Sequence, residues 1–339
     1  MYDIAHYVMM ITDRTRTGAY REALRRTIEP GATVVDLGCG SGIFALLACQ
    51  CGAGHVWAID TSSAIQVARE LARANGYEDR ITFLQNRADE VNLPEPVDVL
   101  VHDLRGILPL LGTALPDIAA ARQRFLKPAG HQIPRRDILH AALVEASDRE
   151  LALAGGLRNN TWDLTLDPLV PYATSSWYRV VRESPDLQTE PLIWAEIDYR
   201  TLTGSDLDGS VTWQVGTPGT AHGLLVWFEA DLAEGIGFSC HPRGPETIYG
   251  QTFFPFSAPL TLTAGSTVEC TLSARLVGND YVWRWQTGLR APGTDGRYLQ
   301  RFDQSSFHGV PITPADLARR RLARAPAVPR GGPSDADAD

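Results

Sequence analysis

The sequence predicts a two-part α/β protein, in which a parallel sheet with crossover helices is followed by an antiparallel β-barrel or sandwich. Three observations carry this reading. Over the first third of the 339 residues, short apolar runs alternate with helical stretches, as in a parallel sheet with right-handed crossovers. A glycine-rich turn closes the first of those runs. Beyond Ile133-Pro134 the helical signals fade, and strand-like segments separated by turn-formers take over.

Each element follows from its residues. Thr33-Val34-Val35-Asp36-Leu37 is a short strand that runs into the glycine turn. Ile43 to Cys49 is continuously apolar and reads as a buried helix. His55-Val56-Trp57-Ala58-Ile59-Asp60 is a second strand, after which Thr61 or Ser62 can cap a helix. In that helix Ile65, Ala68 and Ala72 share one face, and Gly76 marks its stop. Ile81 to Leu84 and Val97 to Val101 complete the parallel set. In the second part, strands are expected at Ile138 to Val144, Ile193 to Tyr199, Val211 to Val215, Leu224 to Phe228, Thr267 to Val277 and Tyr281 to Gln286. Turns fall at Gly204-Ser205-Asp206 and Gly278-Asn279-Asp280.

This gives an expected organisation of 1–28 as a helical N-terminal segment, 29–134 as the parallel-sheet domain, 135–315 as the β-barrel domain and 316–339 as a tail. The tail is rich in Pro, Gly and Asp from Ala325 onward and reads as disordered. Between the strands of the second part, about 151–178, Trp162, Leu164, Leu166, Leu169, Val170 and Trp177 form either an arm that buries apolar side chains on a partner or an ordinary packed loop.

Composition narrows the class. Apolar residues make up 44% and charged residues 21%, as in ordinary globular proteins. No apolar run is long enough to span a membrane, and Met1-Tyr2-Asp3-Ile4 begins neither a basic nor an apolar leader, so a cytoplasmic protein is expected. The net charge of −9, with basic residues clustered only at Arg319-Arg320-Arg321 and Arg324, argues against nucleic acid as a partner. The five cysteines form no CxxC pair, so neither a metal site nor a disulfide framework is expected.

The chemistry-bearing motif is Val35-Asp36-Leu37-Gly38-Cys39-Gly40-Ser41-Gly42, between the first strand and the first helix of the sheet. Glycines there let the backbone approach a ligand closely, outside the carboxyl end of a parallel strand where such sheets bind ligands. Asp60 ends the second strand, where its carboxylate can accept from both hydroxyls of a ribose, with Thr61 beside it. A bare glycine turn and a nicotinamide site are the alternatives. The latter is disfavoured because D-x-G-x-G-x-G lacks the G-x-G-x-x-G spacing.

That motif resembles the first motif of class I methyltransferases, and further segments resemble one family among them, the protein arginine methyltransferases. Met10-Ile11-Thr12-Asp13-Arg14-Thr15-Arg16-Thr17-Gly18-Ala19-Tyr20 is similar to M-L-x-D-x-x-R-T-x-x-Y, and Ala88-Asp89-Glu90-Val91-Asn92-Leu93-Pro94 to V-E-E-V-x-L-P. Gly237-Phe238-Ser239-Cys240-His241-Pro242 and Pro245-Glu246-Thr247-Ile248-Tyr249-Gly250-Gln251-Thr252 resemble the family's G-F-S-T-x-P and P-x-T-H-W-x-Q-T. The resemblance implies a Rossmann-like domain, a β-barrel with a dimerisation arm, a homodimer, and S-adenosyl-L-methionine (SAM) as cofactor. It assigns Arg16 to the methionine carboxylate, Asp60 to the ribose, and Ala88 and Asp89 to the adenine. Tyr7, Met10, Asp36, Gly38, Cys39, Gly40 and Thr61 complete the implied cofactor set.

The family's acceptor loop, S-E-W-M-G-Y-x-x-x-x-E, holds arginine between two glutamates. Here it is His102-Asp103-Leu104-Arg105-Gly106-Ile107-Leu108-Pro109-Leu110-Leu111-Gly112, with Asp103 and Gly112 aligned to the two acids. These departures lead to the expectation of an acceptor other than ordinary protein arginine: an amine, imidazole or similar nitrogen of a peptide or specialised metabolite. O-methylation of a natural product, an arginine enzyme with a rebuilt site using Glu145 or Glu246, and a noncatalytic SAM-binding scaffold are the alternatives. Asp103 and His102 are the candidates to position the acceptor or take its proton, and Tyr249 to line its pocket. Arg105 is expected to repel a cationic acceptor.

Overall fold

The computed structural model describes residues 3–146, 162–181, 186–293 and 297–309. The tail at 316–339 and the first part of the expected arm, 151–161, lie outside the described residues. The chain opens with helices α1 (Ile4–Thr12) and α2 (Arg14–Thr27). The parallel part follows as β1 (Thr33–Leu37), α3 (Ile43–Gln50), β2 (His55–Ile59), α4 (Ile65–Ala74), β3 (Ile81–Leu84), β4 (Val97–His102), α5 (Ala114–Phe125) and β5 (Leu126–Ile133).

The five strands are parallel in the order β3-β2-β1-β4-β5. Val34, Val35, Val56, Ala58, Val99 and Leu100 are buried, as expected where helices cover both faces of a parallel sheet. Because β1 pairs with β2 on one side and β4 on the other, the order reverses at β1. A crevice opens there between the loops that leave β1 and β4.

The second part comprises β6 (Arg136–Val144), a short helix α6 (Val170–Thr174), β7 (Tyr178–Val180), β8 (Leu192–Asp198), β9 (Leu207–Gln214), β10 (Gly219–Ala233), β11 (Ile236–Ser239), β12 (Gln251–Leu262), β13 (Thr267–Val277), β14 (Asp280–Arg290), β15 (Tyr298–Ser305) and a terminal turn of helix, α7 (Ser306–Gly309). They build an antiparallel barrel from two sheets, β7-β12-β10-β6-β8 with β11 on β10, and β15-β14-β13-β9. The sheets meet through aromatic rings: Phe254 packs edge-on to Trp285 at 5.2 Å and tilted to Trp283 at 5.1 Å. Trp285 is fully buried and donates its Nε1–H to the Pro255 carbonyl at 3.1 Å. Burying one such ring contributes about 2–3 kcal/mol, provided that its N–H finds an acceptor.

Helix α2 joins the two parts. Tyr20, Ala23 and Leu24 are buried, and Tyr20 stacks on Phe44 of α3 at 4.2 Å and reaches Phe238 of β11 at 6.3 Å. Two local expectations need correction. Neither Thr61 nor Ser62 caps α4, whose N-cap is Ala64 without a side-chain bond; Asp60 accepts the Ser62 N–H instead. The strand β12, with Pro255 and Pro259 inside it, was not expected. Proline fits there because the pairing of β10 with β12 shifts between Ala221 and Gly223, and the Pro255 carbonyl serves Trp285 and Gln304.

Candidate active site

The crevice holds two connected cavities around the glycine turn. The first, about 230 Å³, is lined by Tyr7, Met10, Arg16, Gly40, Asp60 and Tyr249. The second, about 220 Å³, is lined by Thr61, Arg87, Ala88, Asp89, Asp117 and Arg124. Gly38, Asp60 and Leu104 border both, so they form one bent trough.

The turn is built for close approach. Gly38 and Cys39 donate their N–H groups to the Ile59 carbonyl at 2.8 and 3.0 Å, which pins the turn to the end of β2. Gly40 has a φ of +51°, and a Cβ there would lie 2.5 Å from the Tyr7 ring. Asp60 bridges the turns, accepting from Gly40 N at 2.7 Å and from Ser62 N at 2.7 Å. Each oxygen retains acceptor capacity toward the trough. Asp89 is exposed at the far end, bonded to Arg87 at 3.1 and 3.3 Å, and that contact lowers its pKa.

Asp36 does not line the trough. It is fully buried in β1, accepts the Ala45 N–H at 2.9 Å, and so ties the first turn of α3 to the sheet. Burial, reinforced by Asp60, pushes its pKa up to about 7. Its assignment to the cofactor set is therefore corrected to an anchor beneath the turn.

At the other end lies a buried chain of charges. The Arg16 Nε donates to Asp103 Oδ2 at 2.5 Å, and its Nη1 donates to the Met10 carbonyl at 2.9 Å. Asp103 Oδ1 accepts from Arg105 Nη1 at 2.6 Å and from the Tyr249 hydroxyl at 2.6 Å. Arg105 in turn grips Asp137 bidentately, with both contacts at 2.7 Å, while Tyr199 donates to the same carboxylate at 2.6 Å. Two guanidinium and two carboxylate groups thus cancel. Burial alone would raise the Asp103 pKa, but Arg16 and Arg105 overcome it and hold the group below the usual carboxylate range.

This network revises the acceptor-side expectations. Asp103 is saturated by cations and a phenol, which makes it a poor proton acceptor. Tyr249 remains a phenol, because burial and the adjacent Asp103 charge raise its pKa well above the usual value. The Arg105 side chain is fully buried and neutralised, so it does not present a repelling charge. His102 lines none of these cavities. Its ring lies edge-on to Tyr199 at 4.8 Å, and burial, with Arg105 nearby, lowers its pKa to about 3. The expectation that it takes the acceptor proton fails on placement and on basicity.

A third cavity, about 410 Å³, adjoins the trough through Met10, Arg105, Leu111, Ile248 and Tyr249. Apolar groups dominate its wall, among them Met9, Leu108, Trp177 and Trp283. Neither Glu145 nor Glu246 lines it. Asp13 fixes its rim: Oδ1 accepts from Arg16 N at the start of α2, and Oδ2 from Ile248 N, both at 2.9 Å. Sequence reasoning missed Arg179 and Trp283, which reach these walls from distant elements and carry no local motif, and it read Asp280 only as a turn residue.

The polar groups fit SAM as a class: a guanidinium at one end of the trough, a carboxylate at its bend, and a carboxylate at the other end. Similarity to known proteins agrees. Residues 16–133 match the family model for ribosomal protein L11 methyltransferase (PrmA), and residues 135–282 match the arginine methyltransferase oligomerization subdomain. The arginine N(omega)-methyltransferase of Streptomyces achromogenes subsp. streptozoticus is 31% identical over 287 residues, covering 81% of this chain and 76% of that protein. Protein arginine N-methyltransferase 1 of Saccharomyces cerevisiae is 30% identical over 275 residues, covering 77% of each. Among solved structures, the Trypanosoma brucei PRMT1 enzyme–prozyme heterotetrameric complex with AdoHcy superposes with a TM-score of 0.80 at 21% identity, covering 89% of this chain and 98% of that one. Protein arginine methyltransferase 10 of Arabidopsis thaliana gives 0.77 at 22% identity, covering 89% and 97%. These relatives overturn the expectation of a non-arginine acceptor, since they carry the name of arginine N-methyltransferases. The chain belongs to the protein arginine methyltransferase family and is a methyltransferase that uses S-adenosyl-L-methionine as its cofactor.

Proposed function

We propose that the protein transfers a methyl group from SAM to a guanidinium nitrogen of arginine, presented as the free amino acid or within a peptide. The observation that carries this reading is that the trough and the third cavity share a wall at Met10, Leu111, Ile248 and Tyr249. When bound, SAM would supply a methyl on a sulfonium for in-line displacement by nitrogen, with S-adenosylhomocysteine as the leaving thioether and the nitrogen's proton released to solvent. The residues of the neck align the nitrogen and exclude water, and alignment of this kind supplies much of the acceleration. Arg16 would share its charge between Asp103 and the cofactor carboxylate, Asp60 would hold the ribose, and Asp89 the adenine amino group. Asp103, held by two cations, orients Arg16 and Tyr249 and takes no proton.

The test is incubation with methyl-labelled SAM and either arginine or an arginine-containing peptide, followed by hydrolysis and identification of methylarginines. Label on an ω-nitrogen is expected. Absence of ω-methylarginine from protein that binds S-adenosylhomocysteine would overturn the reading.

The protein is also proposed to act as a homodimer. The side chains of Trp162, Leu164, Leu169 and Tyr172 are exposed in the arm region, within the stretch that matches the oligomerization subdomain. Light scattering should give twice the chain mass, and charged replacements at Leu164 and Leu169 should return it to one.

A further inference from the structure

We propose that Asp280, at the tip of the β13–β14 hairpin, is the carboxylate that receives the cationic end of the acceptor. This inference rests on the arginine reading of the third cavity and names its specificity-determining acid. Among the described residues that line the cavity, Asp280 is the one carboxylate. The basic side chains on the same wall are engaged: His6 bonds Asp3 at 2.7 Å, Arg179 donates to the carbonyls of Ile248 and Tyr249, and Arg105 is held by Asp137 and Asp103. Asp280 itself has no ion pair among the described residues. Its Oδ1 accepts the N–H of Tyr281 at 2.8 Å, which fixes the carboxylate and leaves Oδ2 for a ligand.

The hairpin also explains why the acid comes from the barrel. Gly112 has a φ of +48°, and a Cβ there would lie 3.5 Å from the Asn279 carbonyl. The hairpin tip therefore stands against the acceptor loop at a position where the loop carries no side chain. The loop's own acid, Asp103, is consumed by Arg16, Arg105 and Tyr249. A guanidinium entering the cavity thus meets apolar and indole surface from Trp177 and Trp283, and one unpaired carboxylate.

The experiment compares wild type, Asp280→Asn and Asp280→Glu. Two readouts are used: the KM and kcat for arginine acceptors, and the binding of arginine and its uncharged analogue citrulline to the S-adenosylhomocysteine complex. Asn keeps the acceptor for Tyr281 N–H and removes only the charge. The expected result is a KM raised roughly tenfold or more, the loss of a charge-assisted contact. The kcat and the S-adenosylhomocysteine affinity stay within about twofold, Glu restores part of the loss, and wild type prefers arginine to citrulline. Equal KM values for wild type and Asp280→Asn would overturn the assignment while leaving the arginine reading intact. If wild type binds S-adenosylhomocysteine but neither binds nor methylates arginine, the functional reading fails and the assignment fails with it.

Discussion

Arg16 on α2 and Asp103 at the end of β4 meet at 2.5 Å inside the protein, and the pair joins the N-terminal helices to the methyltransferase sheet. The same carboxylate binds Arg105, whose other face is held by Asp137 of the barrel. One chain of alternating charges therefore runs through all three regions of the molecule. It has no net charge, which is the condition under which buried ions are tolerated.

Removal of one member should cost more than removal of a balanced pair. Asp137→Leu leaves Arg105 undercompensated and should destabilise the fold by about 3–5 kcal/mol. Arg105→Met combined with Asp137→Leu removes one charge of each sign and should cost less than Asp137→Leu alone. Urea unfolding of wild type, Asp137→Leu, Arg105→Met and the double variant checks this, and simple additivity would refute the coupling.

Asp60→Ala should weaken S-adenosylhomocysteine binding by at least tenfold. The substitution removes the bonds to Gly40 N and Ser62 N that shape the trough, and with them the acceptor for the ribose. Charge-assisted hydrogen bonds are worth about 1.5–3 kcal/mol. Calorimetric titration measures the change, and unaltered affinity would remove Asp60 from the site.

Gly40→Ala should separate binding from stability. The new Cβ would strike the Tyr7 ring at a φ unfavourable for alanine. Helix α1, which carries Tyr7, has no buried residue, so its displacement should scarcely change the melting temperature. Affinity for S-adenosylhomocysteine should nevertheless fall by roughly tenfold, a loss of about 1.4 kcal/mol. A large drop in melting temperature would show that α1 is more strongly coupled to the core.

His102 and Asp36 predict opposing pH dependences. His102 falls from 6.5 when unfolded to about 3 when folded, so its contribution is complete above 6.5 and is lost as pH falls. Asp36 rises from 3.8 to about 7, so its contribution is complete below 3.8 and is lost as pH rises. Over roughly pH 4 to 6.5 the two offset each other. His102→Gln removes the first, and the variant should gain stability on acidification through this window relative to wild type. Parallel urea midpoints for the two proteins at several pH values would contradict the assigned protonation of His102.

The sequence by itself determined the parallel sheet, its glycine turn and the acid at the end of the second strand. These are local features, in which strand, turn and helix follow one another within about thirty residues, so periodicity and glycine spacing record them directly. It also determined the family, through motifs spread along both parts. Tertiary structure alone decided what the polar residues do. Asp36 sits in the motif yet turns into the core, because a residue inside a buried strand points to one face or the other and only packing selects it. Arg105 reads as a repelling cation until Asp137, 32 positions later, is folded against it. Asp280 reads as a turn residue until the hairpin stands beside Gly112. Charges interact through space rather than along the chain, and compensation by partners from distant elements is a product of folding that no local pattern encodes.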